Sequence, residues 1–283
     1  FMIVWIASYP KSGNTWVRAI VSSLMYSESG LFDFSKLKKI KQFPSKEYFK
    51  EFTNDFNNIH ELKKYWVTAQ DKINLNGEIN FFKTHHLNCR LEDHTFTNSE
   101  NTAGTIYVVR DPRNIVTSIA NFYSVDIKDS KKFLFNQSQL VGDETINWGE
   151  EIRDLIGTWS ENYKSWTMNN PNLLLIKYED LIEDTKSQII KITNFIKKFK
   201  NINVSEDQIN NILESTTFNN LKKLEQDFGF GEASVNKGQN KKITFFNSGK
   251  DNNWKKTLDR TLAEEIEIKF KNEMVELQYL SKD

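Results

Sequence analysis

Cysteine is almost missing from this 283-residue chain, where Cys89 stands alone. That excludes an intrachain disulfide and any metal site built on a cysteine pair, and Cys89 reads as a structural thiol, not a nucleophile. Long apolar runs are missing too. No stretch approaches the roughly 18–20 residues that a membrane span needs, and the first residues lack the basic-then-apolar pattern of a secretory leader. The expectation is a cytoplasmic protein with no membrane span. Surplus charge of either sign is absent, because 38 basic side chains face 38 acidic ones. A general nucleic-acid binder carries a basic excess, so nucleic acid is not an expected partner and any anion site must be local. The four histidines show no metal-ligand spacing, and no metal is expected. What is present, 38 % hydrophobic and 27 % charged residues, suits a globular protein with a substantial core.

The apolar segments are short and recur. Residues 2–7 (MIVWIA) form a β-branched-rich run that reads as a buried strand. Residues 14–25 then place Trp16, Ile20 and Leu24 at helical spacing, with Val17 and Val21 beside them. Residues 105–109 (TIYVV) repeat the strand pattern, followed by a helix-like run to about Phe122, with Asp111 suited to its N-cap and Pro112 to its first turn. Further short strands fall at 79–83 and 173–177. An amphipathic helix is expected at 184–199 and a last helix at about 257–275. Strands alternating with helices imply parallel pairing and an α/β fold. The whole chain, 1–283, reads as one domain. Residues 27–78 form a helical insertion beside the sheet, and the Gly-, Asn- and Lys-rich stretch at about 227–253 forms a long lid loop.

Four polar clusters sit at the ends of these strands. The first, YPKSGNTW at residues 9–16, joins the first strand to the first helix. A helix start exposes unpaired N–H groups that accept an anion, and Gly13 permits close backbone approach. Ser12, Asn14 and Thr15 add donors, and Lys11 adds a movable charge. The segment lacks the second glycine and the late lysine of a Walker A loop, and a plain strand–helix turn with a solvated lysine remains open. In the second, Arg110 ends a strand at the carboxyl edge where open α/β sheets bind ligands. Its guanidinium suits a phosphate, and Ser118 lies two turns into the next helix. An Arg–Asp surface pair is the alternative there. The third is Lys83-Thr84-His85-His86. Histidine is a natural base near neutral pH. Adjacent residues of an extended chain point to opposite faces, so Lys83 and His85 share one side and His86 faces away. His60 and His94 have no such context. The fourth, Tyr178-Glu179-Asp180-Leu181, is weak by itself.

Together these segments resemble the sulfotransferase family that uses 3′-phosphoadenosine 5′-phosphosulfate (PAPS). Residues 9–16 match the family's Y-P-K-S-G-T-T-W except at Asn14. Arg110 through Ser118 resembles its R-x-P-x-D-x-x-x-S, Lys83-Thr84-His85 its K-T-H, Tyr178 to Leu181 its Y-E-D-[LM], and Thr216 to Leu221 its T-S-F-x-x-M. The motifs keep family order along nearly the whole chain. The departure lies in the lid, where Asn247 and Ser248 replace the Arg-Lys pair of R-K-G-x-x-G-x-W, while Gly249 and Trp254 keep their spacing. Lys250, Lys241 or Lys242 are the candidates to replace that charge.

The resemblance implies a P-loop-like three-layer fold with a central parallel sheet, and in-line sulfuryl transfer from PAPS to a hydroxyl or amine of a small-molecule or glycan acceptor. The product would be 3′-phosphoadenosine 5′-phosphate (PAP). It assigns His85 as base, Lys11 to the bridging oxygen, Lys83 to the sulfuryl oxygens, and Ser12 through Trp16 to the 5′-phosphate. Arg110 and Ser118 would take the 3′-phosphate, and Ser118 would also restrain Lys11. Trp16, Tyr178, Thr216, Phe218 and Leu221 would surround the adenine, with Gly249 and Lys250 in the lid. Phe81 and Phe122 would line the acceptor pocket. Two other readings stand beside it. One is a PAP- or nucleotide-binding protein that has lost catalysis. The other, a P-loop kinase, conflicts with the position of Lys11.

Overall fold

Six buried residues, Ile3–Ser8 (β1), carry alternate side chains to opposite faces, and two cores form on them. Trp5 packs with Trp66, Trp159 and Trp166 on one face, while Val4 and Ile6 pack with Val17, Ile20, Ile189 and Ile212 on the other. The computed structural model of the chain describes residues 2–137, 140–141, 152–233, 235–236, 241–247, 249 and 252–281. β1 lies at the centre of a five-stranded sheet with Lys41–Gln42 (β2), Asn80–Thr84 (β3), Thr102–Val109 (β4) and Leu173–Lys177 (β5), in the order β2-β3-β1-β4-β5. Every pairing is parallel. Asn14–Tyr26 (α1), Thr185–Ile196 and Glu206–Ser215 cover the Val4 face. Trp66–Asn74, Trp159–Thr167 and Arg260–Lys269 cover the Trp5 face. This is the expected α/β, three-layer arrangement.

The parallel pairing decides where chemistry can occur. All strands run the same way, so all their carboxyl ends lie along one edge. The chain moves from β1 to β2 and β3 on one side and then to β4 and β5 on the other. The strand order therefore reverses at β1, the place where open α/β sheets bind ligands.

Two local expectations differ from the structure. The expected helix 257–275 is three helices, Trp254–Thr257, Arg260–Lys269 and Lys271–Glu276. Asp259 starts the second by accepting from the Leu262 N–H at 2.8 Å, a cap that the apolar periodicity running across it obscures. Residues 27–78 contribute short helices but also β2, which pairs with β3 at the sheet edge.

His86 belongs to the core. Its ring stacks on Phe96 at 4.2 Å and meets Trp66 edge-on. Nδ1 donates to the Leu87 carbonyl at 2.7 Å, and Nε2 is buried with no hydrogen-bond partner. Burial pushes both His86 and His85 down to about 3. The fold therefore holds neutral imidazoles while the unfolded chain protonates below its ordinary histidine value of about 6.5. Stability present above that value is lost as pH falls toward 3. Each group contributes a slope of at most about 1.4 kcal/mol per pH unit. Urea unfolding between pH 7 and 5 checks this, and His86→Phe, which keeps the stack, is expected to flatten the slope.

Candidate active site

The loop after β1 turns sharply because two of its residues are left-handed, Lys11 at φ 65° and Gly13 at φ 102°. Gly13 is required for a second reason: a Cβ there would lie 2.5 Å from the Tyr178 ring. α1 starts directly after Gly13 with no side-chain cap, so its first N–H groups are presented along the loop. Ser12 is buried and its hydroxyl has no hydrogen-bond partner, as is the Trp16 indole N–H. Asn14 behaves differently. Its side-chain amide donates to the Ile6 carbonyl at 2.9 Å and to the Ser8 hydroxyl at 3.2 Å. This residue staples the loop to β1, which leaves its backbone amide as the group available to a ligand.

Arg110, at the end of β4, meets the loop from the other side. Nη1 donates to the Lys11 carbonyl at 3.1 Å, and the guanidinium lies 4.1 Å over the Tyr178 ring. Its Nε is buried without a partner. Tyr178, at the end of β5, is edge-on to Trp16 at 5.9 Å. The adjacent turn is tied down: Asp111 caps Pro112–Tyr123 (α2), pairs with Arg113, and donates its N–H to Glu179. Trp254 lies 4.0 Å from the Arg113 guanidinium, so the end of the lid packs on the Arg110 turn.

The Lys11 ammonium lies 3.7 Å over the Phe122 ring and 4.0 Å over Phe245. Phe122, expected beside the acceptor, is thus a wall of the Lys11 cage. Ser118 lies one turn before it on α2, so both face the same way. Desolvation, followed by the neighbouring Arg110 charge, pushes the Lys11 ammonium down to about 7.

At the end of β3, His85 Nδ1 donates to the Ser8 carbonyl at 2.7 Å. This bond places the proton on Nδ1 and the lone pair on Nε2. The His85 carbonyl accepts from Asn162 at 2.8 Å, which fixes the backbone behind the ring. Burial, and after it the charge of Lys83, pushes His85 down to about 3, so the ring is neutral at physiological pH. Phe81 is in the core on the α1 face, with Val4 and Ile6.

The fifth motif forms a separate shelf. The Phe218 ring lies so close to Gly249 that a Cβ there would approach it to 2.8 Å, and Phe246 packs on the same ring at 6.2 Å. Leu221 is buried. The Thr216 hydroxyl donates to the Ile212 carbonyl at 2.7 Å. Where Asn247 replaces the expected lid cation, the Lys222 ammonium donates to the Asn247 carbonyl at 3.3 Å. Lys250 and Ser248 lie outside the described residues, as do the side chains of Lys241 and Lys242.

Three charged residues of the site had no signal in the sequence. Arg18 pairs with Glu232 at 2.6 Å, and Glu232 reaches Lys83 at 3.4 Å. Glu225 accepts the N–H groups of Phe245 and Phe246 at 2.7 and 2.9 Å, which seats the ring that covers Lys11. The arrangement is a cationic cleft with unsatisfied donors at a helix start, next to a neutral imidazole with a fixed tautomer. These groups can hold an anion. Among the described residues no cluster of His, Cys, Asp or Glu could hold a metal, and no helix is long and apolar enough to cross a membrane.

The sulfotransferase-domain family profile matches residues 3–278. The chain belongs to the sulfotransferase family. It is 27 % identical over 229 residues to an amine sulfotransferase of Oryctolagus cuniculus, covering 79 % of this chain and 64 % of that protein, less than two thirds of its length. It is 25 % identical over 278 residues to sulfotransferase 2A1 of Homo sapiens, covering 97 % and 85 %. The luciferin sulfotransferase of Photinus pyralis is 25 % identical over 275 residues, covering 94 % and 68 %. Among solved structures, retinol dehydratase in complex with androsterone and inactive cofactor PAP matches with TM-score 0.59 at 18 % identity, covering 96 % of this chain and 80 % of that one. A mouse sulfotransferase complexed with PAP matches with TM-score 0.53 at 19 % identity, covering 96 % and 84 %. These two likenesses concern the fold.

Proposed function

We propose that this protein transfers a sulfuryl group from PAPS to a hydroxyl or amine of a small-molecule acceptor, with His85 as the general base. The observation that carries this reading is the convergence at one sheet edge of the uncapped α1 start, Lys11, Arg110 and the Lys83–His85 pair. PAPS supplies a sulfuryl group on a good leaving group, the 5′-phosphate. The loop amides and the Ser12 hydroxyl hold that phosphate, and Arg110 binds the 3′-phosphate through the edge that the Lys11 carbonyl leaves open. Trp16 and Tyr178 bound the adenine, with Phe218 and Leu221 opposite them. His85 Nε2 takes the acceptor proton as the new bond to sulfur forms. Lys11 moves from its aromatic cage to neutralise the oxygen released from sulfur, and Lys83 neutralises the sulfuryl oxygens. PAP and the sulfated acceptor are the products. The protein's share is positioning and charge stabilisation, as in phosphoryl transfer.

The small-molecule acceptor is inferred from the names of the relatives, which include amine and luciferin sulfotransferases. Calorimetric titration with PAP, followed by transfer of labelled sulfate from PAPS across phenols, alcohols, amines and sugars, tests the proposal. Saturable PAP binding with label on one acceptor class is expected. PAP binding without transfer to any class would favour a binding protein. Magnesium-dependent ATP turnover with no PAP binding would revive a kinase.

A further inference from the structure

We propose that Glu232 is a positioning residue for this reaction: anchored by Arg18, its carboxylate holds the Lys83 ammonium at the donor end of the site. The inference rests on the sulfuryl-transfer reading above. Glu232 lies in a built turn. The Ala233 N–H donates to the Phe230 carbonyl at 3.2 Å, and Phe230 is buried, stacked on Phe34 at 4.9 Å and against Phe245 at 4.9 Å. The turn is therefore pinned by the same aromatic group that covers Lys11.

The two carboxylate oxygens are used unequally. Oε1 meets Arg18 Nη1 at 2.6 Å, and Arg18 is itself buried in α1, with Nη2 donating to the Ile40 carbonyl at 3.4 Å. That pair is the anchor. Oε2 meets Lys83 Nζ at the longer distance of 3.4 Å. Arg18 thus fixes the carboxylate, and the carboxylate fixes Lys83 on the same side of β3 as His85.

The charge balance gives Glu232 a second effect. Lys11 faces Arg110 at the end of β4 and Lys83 on β3, both of which oppose its charge, and Glu232 and Glu225, which support it. Arg18 from α1 and His85 from β3 complete the surroundings of the carboxylate. Removing the negative charge at position 232 leaves Lys11, Lys83, Arg18 and Arg110 facing one another. The Lys11 ammonium then loses its proton at lower pH.

Glu232→Gln, which is nearly isosteric, is expected to lower kcat/KM for the donor roughly 10- to 100-fold by misplacing Lys83. It is also expected to move the alkaline limb of that pH profile down by about one unit, since the profile reports groups of the free enzyme. Glu232→Asp keeps the charge and is expected to leave the limb in place even where the rate falls. In a Lys83→Gln background, Glu232→Gln is expected to cost only a few-fold, because the group it positions is gone. A wild-type alkaline limb in Glu232→Gln, or full additivity with Lys83→Gln, would overturn the proposal. Thermal unfolding of each variant identifies a folding defect, and if Glu232→Gln does not fold, Arg18→Gln, which removes the anchor of the carboxylate, decides instead: donor kcat/KM and an alkaline limb both at their wild-type values reject the role. Wild-type protein that neither binds PAP nor transfers sulfate would reject the sulfuryl-transfer reading itself, an outcome visible before any variant is made.

Discussion

Replacing His85 by alanine is expected to lower sulfuryl transfer roughly 10²- to 10⁴-fold while PAP still binds. The ring stands at the end of β3, and its Nδ1 meets the donor loop at Ser8, 2.7 Å from the carbonyl and 3.3 Å from the hydroxyl. The groups facing the phosphates come from elsewhere: the α1 start, Ser12 and Arg110. Loss of the imidazole therefore removes the proton acceptor and its buried hydrogen bond to the Ser8 carbonyl, which contributes about 1 kcal/mol to stability, and leaves the groups facing the phosphates in place. Single-turnover transfer and PAP calorimetry on the same preparation separate these effects. The wild-type rate carries a related signature. His85 is held neutral down to about 3, so no acid limb attributable to its protonation is expected near pH 6.5. A variant that transfers at the wild-type rate would place the base elsewhere.

Much of this site was legible because it is local. Each motif sits within a few residues of a strand end, and short apolar runs bounded by polar residues mark those ends. Once the strands are parallel, Lys11, Lys83, His85, Arg110 and Tyr178 must gather along one edge. The opposed directions of His85 and His86 also follow from strand periodicity, and the structure places one in the site and the other in the core. The Arg18–Glu232–Lys83 bridge was not legible, because its partners are separated by 214 and 149 residues and no periodicity links them. Arg18 looks like an ordinary helix cation, and Glu232 sits in a loop with no pattern. The inward turn of Asn14 was hidden for a different reason. Its amide can satisfy either a ligand or the carbonyl of Ile6, and only the depth of the loop against β1 decides between them. The Lys11 cage likewise needs Phe245, which reaches Phe122 only because Glu225 holds the backbone at residues 245 and 246.

Arg110→Ala is expected to weaken PAP by roughly 10²- to 10³-fold, since a charge-assisted contact to a phosphate and the packing of its guanidinium are both lost. The comparison ligand is adenosine 5′-phosphate, which lacks the 3′-phosphate. If Arg110 did nothing but bind that group, adenosine 5′-phosphate would be unaffected. The structure gives a different expectation. Nη1 already donates to the Lys11 carbonyl, so the same side chain braces the loop that holds the 5′-phosphate. Adenosine 5′-phosphate is therefore expected to weaken as well, by about tenfold or less, the scale of one buried hydrogen bond. Arg110→Lys sharpens the test. Lysine keeps a charge but cannot serve the Lys11 carbonyl and a phosphate in one plane, nor lie flat on Tyr178. It is expected to recover part of the PAP affinity and none of the bracing. Equal losses for the two nucleotides in Arg110→Ala would mean that Arg110 only supports the loop, and the 3′-phosphate would then depend on the lid side, where Lys222 reaches the backbone of Asn247.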